Sequence, residues 1–217
     1  VENMGLFLQL IVVGLYTGAI YSLIALGYTM VYGIIELINF AHGDIFMIGT
    51  LVSITILSFF GITGSSNLAL LPLIGVLLLS FLGSVLFCAL LGVAIERIAY
   101  RPLRNAPRLA PLISAIGVSL ILEDVGKLWK GLDYVLFPTI VPQINYTLGP
   151  ITISNISILV IVVSLALMLG LQWLITRTSI GRAMRAVAQD RDAAALMGVN
   201  VDRIISVTFF IGAGLAG

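Results

Sequence analysis

The sequence predicts an all-α, polytopic transmembrane helix bundle with about six spans, the last cut short, and three observations lead there. Of the 217 residues 60% are hydrophobic and only 10% charged, with a mean hydropathy of +1.16, whereas a soluble domain carries roughly a quarter charged residues. Apolar runs recur at about the 20 residues that a helix needs to cross a ~30 Å hydrocarbon core. These runs are continuous and do not alternate, which selects helices over a barrel.

The chain starts Val1-Glu2-Asn3-Met4, without a basic leader, so the first apolar run, 6–32, reads as a retained span and not a cleaved signal. Within it Gly14, Gly18 and Ser22 recur every four residues, the small-residue stripe of close helix packing. The stretch YGIIELINFAHGD, 32–44, then gathers Glu36, Asn39, His42, Gly43 and Asp44 between two apolar runs. A second span covers 45–62, followed by the short uncharged loop 61–67. The third span, 68–95, repeats the small-residue spacing at Ser80, Ser84, Cys88 and Gly92, and runs into the basic loop ERIAYRPLRNAPR, 96–108.

The fourth run, 109–122, is short; it is either continued by the more polar EDVGKLWKG or belongs to a broken or re-entrant helix. Residues 133–154 hold Pro138, Pro142, Gly149 and Pro150 and read as an outside loop or hairpin. The fifth span is 153–175, and the sixth begins at 204 and ends at Gly217, too short to cross unaided, as in a chain that ends inside a helix. Between them lies the long polar stretch 176–203, rich in helix formers. It is expected to form one or two short helices outside the bilayer, with Gly181 and Gly198 as breaks and Asp190 and Asp192 as caps.

Of the eleven Lys and Arg, four lie in 96–108 and five in 176–203 (Arg177, Arg182, Arg185, Arg191, Arg203), while Lys127 and Lys130 sit beside Glu123, Asp124 and Asp133. The positive-inside rule places both Arg-rich loops in the cytoplasm, and counting crossings backwards places the N-terminus outside. A net charge of +1 gives no reason to expect a nucleic-acid partner, and Cys88, the only cysteine, excludes an internal disulfide.

Polar groups at membrane depth are costly, so Glu36, Asn39, His42 and Asp44, with Gly43 to open the backbone, form a candidate substrate path or gate. The competing reading is a turn between two spans, with Asn39 and Asp44 capping helices and His42 bonded locally. The GAGLAG of 212–217 matches a dinucleotide fingerprint but lies inside an apolar run, where helix packing explains the glycines. No phosphate-binding loop, zinc-protease motif, nucleophile elbow or Cys/His metal spacing occurs, so no cofactor or catalytic residue is expected. The sequons at Asn145 and Asn155 read as chance matches.

Four segments together resemble the membrane permease of high-affinity branched-chain amino-acid ABC importers: 14–50, including NFAHGD; 96–107, ERIAYRPLRNAP; 111–124, PLISAIGVSLILED; and 178–204, with GRAMRAVAQD. The resemblance covers nearly the whole chain in order. It implies one transmembrane permease domain over 1–217, with further spans beyond it, and cytoplasmic loops at 96–108 and 176–203, in a bacterial or archaeal inner membrane. The implied partners are a second permease subunit, two ATP-binding cassette ATPases and a periplasmic substrate-binding protein, besides the lipid bilayer. In such permeases a loop of pattern EAA, three residues, Gly presses on the ATPase. Asp192-Ala193-Ala194 with Gly198 has that spacing, and Arg182, Arg185, Asp190 and Asp192 would make the rim contacts, with Ala193, Ala194 and Gly198 seated closely. An ordinary amphipathic loop is the alternative reading of the same residues. Urea and short-chain amide permeases are similar too. Rival classes are an ion-driven transporter or channel using Glu36, His42 and Asp44 as a relay, and an intramembrane enzyme, for which no catalytic pair stands at a recognisable spacing.

Overall fold

The computed structural model describes residues 2–36, 38–62, 70–104, 106–107, 109–149 and 151–217. Its elements are α1 (Glu2–Ile35), α2 (His42–Phe59), α3 (Leu70–Ile95), a π-helical turn (Glu96–Tyr100) and a 3-10 turn (Arg101–Leu103), α4 (Leu109–Lys130), strands β1 (Asn145–Leu148) and β2 (Ile151–Ser154), α5 (Asn155–Arg177), α6 (Ser179–Gln189), α7 (Arg191–Leu196) and α8 (Val201–Ala216). Among the described residues five helices, α1 to α5, are long and apolar enough to cross a membrane. The expected loop 61–67, Arg108 and Pro150 fall wholly or mainly outside the described residues.

The fourth run is not broken: α4 continues unbroken through EDVGKLWK to Lys130, because Lys127 pairs with Glu123 at 2.9 Å and with Asp124 at 3.4 Å one turn back, which lets a charged stretch extend the helix. The segment after α4 contains a hairpin, as the prolines and glycines suggest, pairing Asn145 with Ser154 and Leu148 with Ile151. The side-chain amide of Gln9 in α1 closes its free edge, donating to the Thr152 carbonyl at 3.0 Å and accepting from the Thr152 N–H at 2.7 Å. That contact fixes the start of α1 and the hairpin at one end of the bundle.

Helix α8 is the centre, packed between α3 and α1, with α2 against α3 and α4 against α2. Its glycines explain why. A Cβ at Gly212 would lie 3.0 Å from the Gly27 carbonyl oxygen of α1, and one at Gly92 of α3 would collide with Ala213 and stand 3.0 Å from the Phe209 carbonyl oxygen. GAGLAG is thus a helix-packing sequence, which lets backbones approach closely. The stripe on α3 works in the same way: Ser80 bonds Ser53 at 2.5 Å, Ser84 donates to the Gly49 carbonyl at 3.1 Å and Cys88 to the Ile45 carbonyl at 3.4 Å.

The stripe on α1 does not pack as its spacing suggests. Among the described residues a Cβ at Gly14 or Gly18 would meet nothing within 4 Å; α1 meets the α8 backbone instead at Gly27, about 14 Å beyond Gly18 along the helix.

Candidate functional site

One end of the bundle gathers the α1–α2 link, the end of α3 and the α6–α7 segment, and so brings both Arg-rich loops together. Glu36 follows α1 directly with φ 59°, its N–H bonded to the Tyr32 carbonyl at 2.8 Å. It lines an open cleft with Arg104, Asp190 and Arg191. Asn39 is buried and accepts a hydrogen bond from the Tyr100 hydroxyl at 2.7 Å. His42 is buried on the first turn of α2, with Nε2 3.2 Å from the Ile24 carbonyl oxygen and Tyr28 set edge-on at 6.0 Å. Asp44 accepts from the Ser119 hydroxyl of α4 at 2.5 Å, while Gly43 is exposed.

Each polar side chain of the NFAHGD region therefore turns to a different element: Asn39 to the end of α3, His42 to α1, Asp44 to α4. Among the described residues no hydrogen bond joins Glu36, His42 and Asp44 to one another. Asn39 and Tyr100 line a cavity of about 10 Å³ with Val31, Ala115 and Phe209, room for roughly one water and not for an amino acid.

Behind this end lies an ionic network that the sequence reading missed. Glu96 is fully buried; Arg104 pairs with one of its oxygens and the Ser206 hydroxyl donates to the other at 2.7 Å. Arg104 also reaches Asp202 at 2.5 Å, and Arg101 pairs with the same carboxylate. Glu96 and Tyr100, four residues apart in the π-helical turn, share a face and are both buried. Partial burial raises the Asp202 carboxyl, but Arg101 and Arg104 outweigh that and hold it below the usual carboxylate range. The available signal was a lone acid in a four-arginine loop, followed a hundred residues later by an acid in the first turn of α8.

The stretch 176–203 forms two short helices. Thr178 caps α6, accepting from the Gly181 N–H at 3.0 Å, and Asp190 caps α7, accepting from the N–H groups of Asp192 and Ala193 at 2.9 Å each. Asp192 is not a cap but a first-turn residue of α7. Gly181 is not a break: it lies inside α6, where a Cβ would collide with the carbonyls of Leu174 and Ile175. Gly198, at φ +83°, does end the segment.

Met184 and Val187 of α6 face the bundle, and Arg191 donates to the Ile34 carbonyl at 2.8 Å, tying α7 to the last turn of α1. Arg185 donates to the Ile175 carbonyl, and Arg182 is exposed. Ala194 is turned inward at 4% exposure, away from the surface where the sequence places it, because it sits on the face of α7 that packs on the core. The open surface belongs to Ala193, to Leu196 at 89% exposure and to Met197 at 85%. These two large apolar residues, just ahead of the Gly198 turn in a polar stretch, were the signal that spacing alone overlooked.

The sequence model of the "Branched-chain amino acid transport system / permease component" family matches residues 10–217. The chain belongs to that family. Similar proteins include the high-affinity branched-chain amino acid transport system permease protein BraD of Pseudomonas aeruginosa, 42% identical over 97% of this chain and 68% of BraD. The corresponding LivH protein of Escherichia coli is 40% identical over the same shares. A probable LivH of the archaeon Methanocaldococcus jannaschii is 29% identical over 90% of this chain and 59% of its own length. No solved structure matches. The permease therefore has a membrane-spanning helical body with a buried ionic network and a two-helix segment at one end.

Proposed function

We propose that this permease is the membrane subunit of an ATP-driven importer of branched-chain amino acids, acting with a second permease subunit, two ATP-binding cassette ATPases and a periplasmic substrate-binding protein. Chain 1–217 acts as one permease domain in the inner membrane of a bacterium or archaeon, with both Arg-rich loops cytoplasmic and the N-terminus outside. The reading rests on family membership for the substrate and on one observation for the coupling: α7 presents Leu196 and Met197 almost fully exposed beside Gly198.

Two adjacent large apolar side chains at such exposure suit a socket on a partner. Ala193 lies close to that contact, and Arg182, Arg185, Asp190 and Asp192 give it a charged rim. The segment transmits force because Arg191 holds it to α1 and the α6 face packs on the bundle. A partner shifts the permease between states only if it binds them with different free energy, and the two-point attachment makes α7 move with the bundle whose state is to be shifted. Glu36, Asn39, His42, Gly43 and Asp44 brace or gate the substrate path where α1 passes into α2.

Leu196→Asp with Met197→Asp tests the coupling without disturbing the core. The double variant should reach normal membrane levels, lose co-purification with the ATPase and lose leucine uptake. Normal uptake at normal levels would sink the coupling role. Uptake of urea or acetamide in place of leucine, valine or isoleucine would reassign the substrate and leave the coupling intact.

A further inference from the structure

We propose that the cleft where the end of α3 meets the start of α8 binds the phosphate headgroup of an anionic phospholipid, with an acyl chain lying along the α3–α8 seam beneath it. The inference needs only a membrane-spanning helical body and is independent of the substrate and the ATPase.

The mouth of the cleft carries Arg97, Arg101 and Arg203, with Asp202 as its one acid. Asp202 is already engaged by Arg101 and Arg104. Arg97 and Arg203 are both exposed, and neither makes an ion pair among the described residues. Two guanidinium groups on facing helices are thus free to take a phosphate, whose planar fork-to-oxygen geometry suits arginine.

Below the charges the walls turn apolar on both sides. Val93 lies one turn from Arg97 on α3, and Val207 and Phe210 lie one and two turns from Arg203 on α8. Phe210 also lines an apolar hollow with Ala89, Val85 and Phe81 further along the same face of α3. From Arg97 to Phe81 this route is about 24 Å of helix, comparable with one leaflet and its headgroup region. A cationic mouth above the apolar walls formed by Val93, Val207 and Phe210 matches a two-part ligand with an anionic head and a hydrocarbon tail. A soluble anion would leave the groove empty, and a neutral lipid would leave the arginines unmatched.

The test takes the intact full-length protein into nanodiscs of phosphatidylcholine alone or mixed with phosphatidylglycerol. Two quantities are read: the thermal midpoint, and the phosphatidylglycerol retained through detergent washing, by mass spectrometry. Wild type should retain phosphatidylglycerol and melt higher in its presence. Arg97→Gln with Arg203→Gln should reduce retention roughly tenfold or more and abolish the midpoint gain, while melting like wild type in phosphatidylcholine alone. A control removing two charges elsewhere, Lys130→Gln with Arg177→Gln, should keep both properties. Equal retention by the Arg97/Arg203 variant, or no phosphatidylglycerol dependence in wild type, overturns the proposal. So does inorganic phosphate reproducing the full midpoint gain in phosphatidylcholine discs. Cross-linking of Val207→Cys to another polypeptide in the assembled transporter would also overturn it, by making the groove a protein interface.

Discussion

Arg191 of α7 donates to the carbonyl oxygen of Ile34 across 2.8 Å, joining the first residue of the proposed coupling helix to the last turn of the first span. The carbonyls at a helix C-terminus lack intrahelical partners and carry the negative end of the dipole, so a guanidinium is well matched there. Arg191→Ala should leave the protein folded, at a cost of about 1.5–3 kcal/mol for a hydrogen bond from a charged group. Uptake should fall far more than stability does. A parallel fall of thermal midpoint and uptake would make Arg191 a structural residue only.

Gly27 and Gly212 give a steric prediction with a built-in control. A Cβ at Gly27 would lie 2.7 Å from the Gly212 carbonyl oxygen, with the His42 ring at 3.1 Å, so Gly27→Ala must force α1 and α8 apart. The expected loss is about 1–3 kcal/mol, the range for overpacking, seen as a lower thermal midpoint and reduced membrane levels. Gly14→Ala and Gly18→Ala meet open space and should leave the midpoint of the isolated chain unchanged or slightly raised by better helix propensity.

That contrast shows what the sequence can specify. Hydropathy located the five described helices that are long enough to cross, because the need to satisfy backbone groups inside lipid leaves helices as the answer for long apolar runs. Small-residue spacing identified candidate seams on α1, α3 and α8, but only Ser80, Ser84, Cys88 and Gly92 on α3 and the glycines of α8 meet a neighbour in the chain. Spacing records which face is smooth, not what lies against it. The Glu96–Arg104–Asp202 network was hidden for a related reason: its members are separated by up to 106 residues, and only the antiparallel packing of α3 on α8 brings them together. In α7 the spacing of Ala193, Ala194 and Gly198 marks a short helix and its end, yet which of its residues face outward depends on a helical phase that Asp190 sets as the cap.

The buried pair yields a prediction of asymmetry. Arg104→Ala leaves the Glu96 carboxylate buried with only the Ser206 hydroxyl to solvate it, and breaking such a pair costs about 3–5 kcal/mol. Arg104→Ala should therefore lower the thermal midpoint or membrane level severely. Adding Glu96→Gln should recover much of the loss, since a neutral amide is cheaper to bury. A double variant as unstable as Arg104→Ala alone would assign the cost to packing of the arginine stem instead.

Asp202 makes the same network sensitive to acid. Its carboxyl is held below its ordinary range when folded, so its contribution is fully present above the unfolded value of about 4 and is lost as pH falls through the lower folded value. The midpoint difference between wild type and Asp202→Asn should be constant from neutral pH to about pH 5 and shrink below about pH 4. The side chain is half exposed, so the difference should also decline with added salt. A difference that is insensitive to both would mean that the carboxylate charge contributes nothing.

Glu36 occupies a left-handed conformation at φ 59° that glycine adopts freely and a side chain adopts only at a cost of about 1 kcal/mol. A residue kept there against that cost, on the wall of a cleft with Arg104 and Arg191, is a candidate for function by its charge. Glu36→Gly should raise the thermal midpoint by relieving the backbone, whereas Glu36→Gln should not. If the carboxylate acts in gating, both variants lose uptake in spite of their different stabilities. If uptake survives in both, Glu36 is only the residue that ends the turn after α1, and Asn39, hydrogen-bonded to Tyr100 beside the small cavity, becomes the next residue to test.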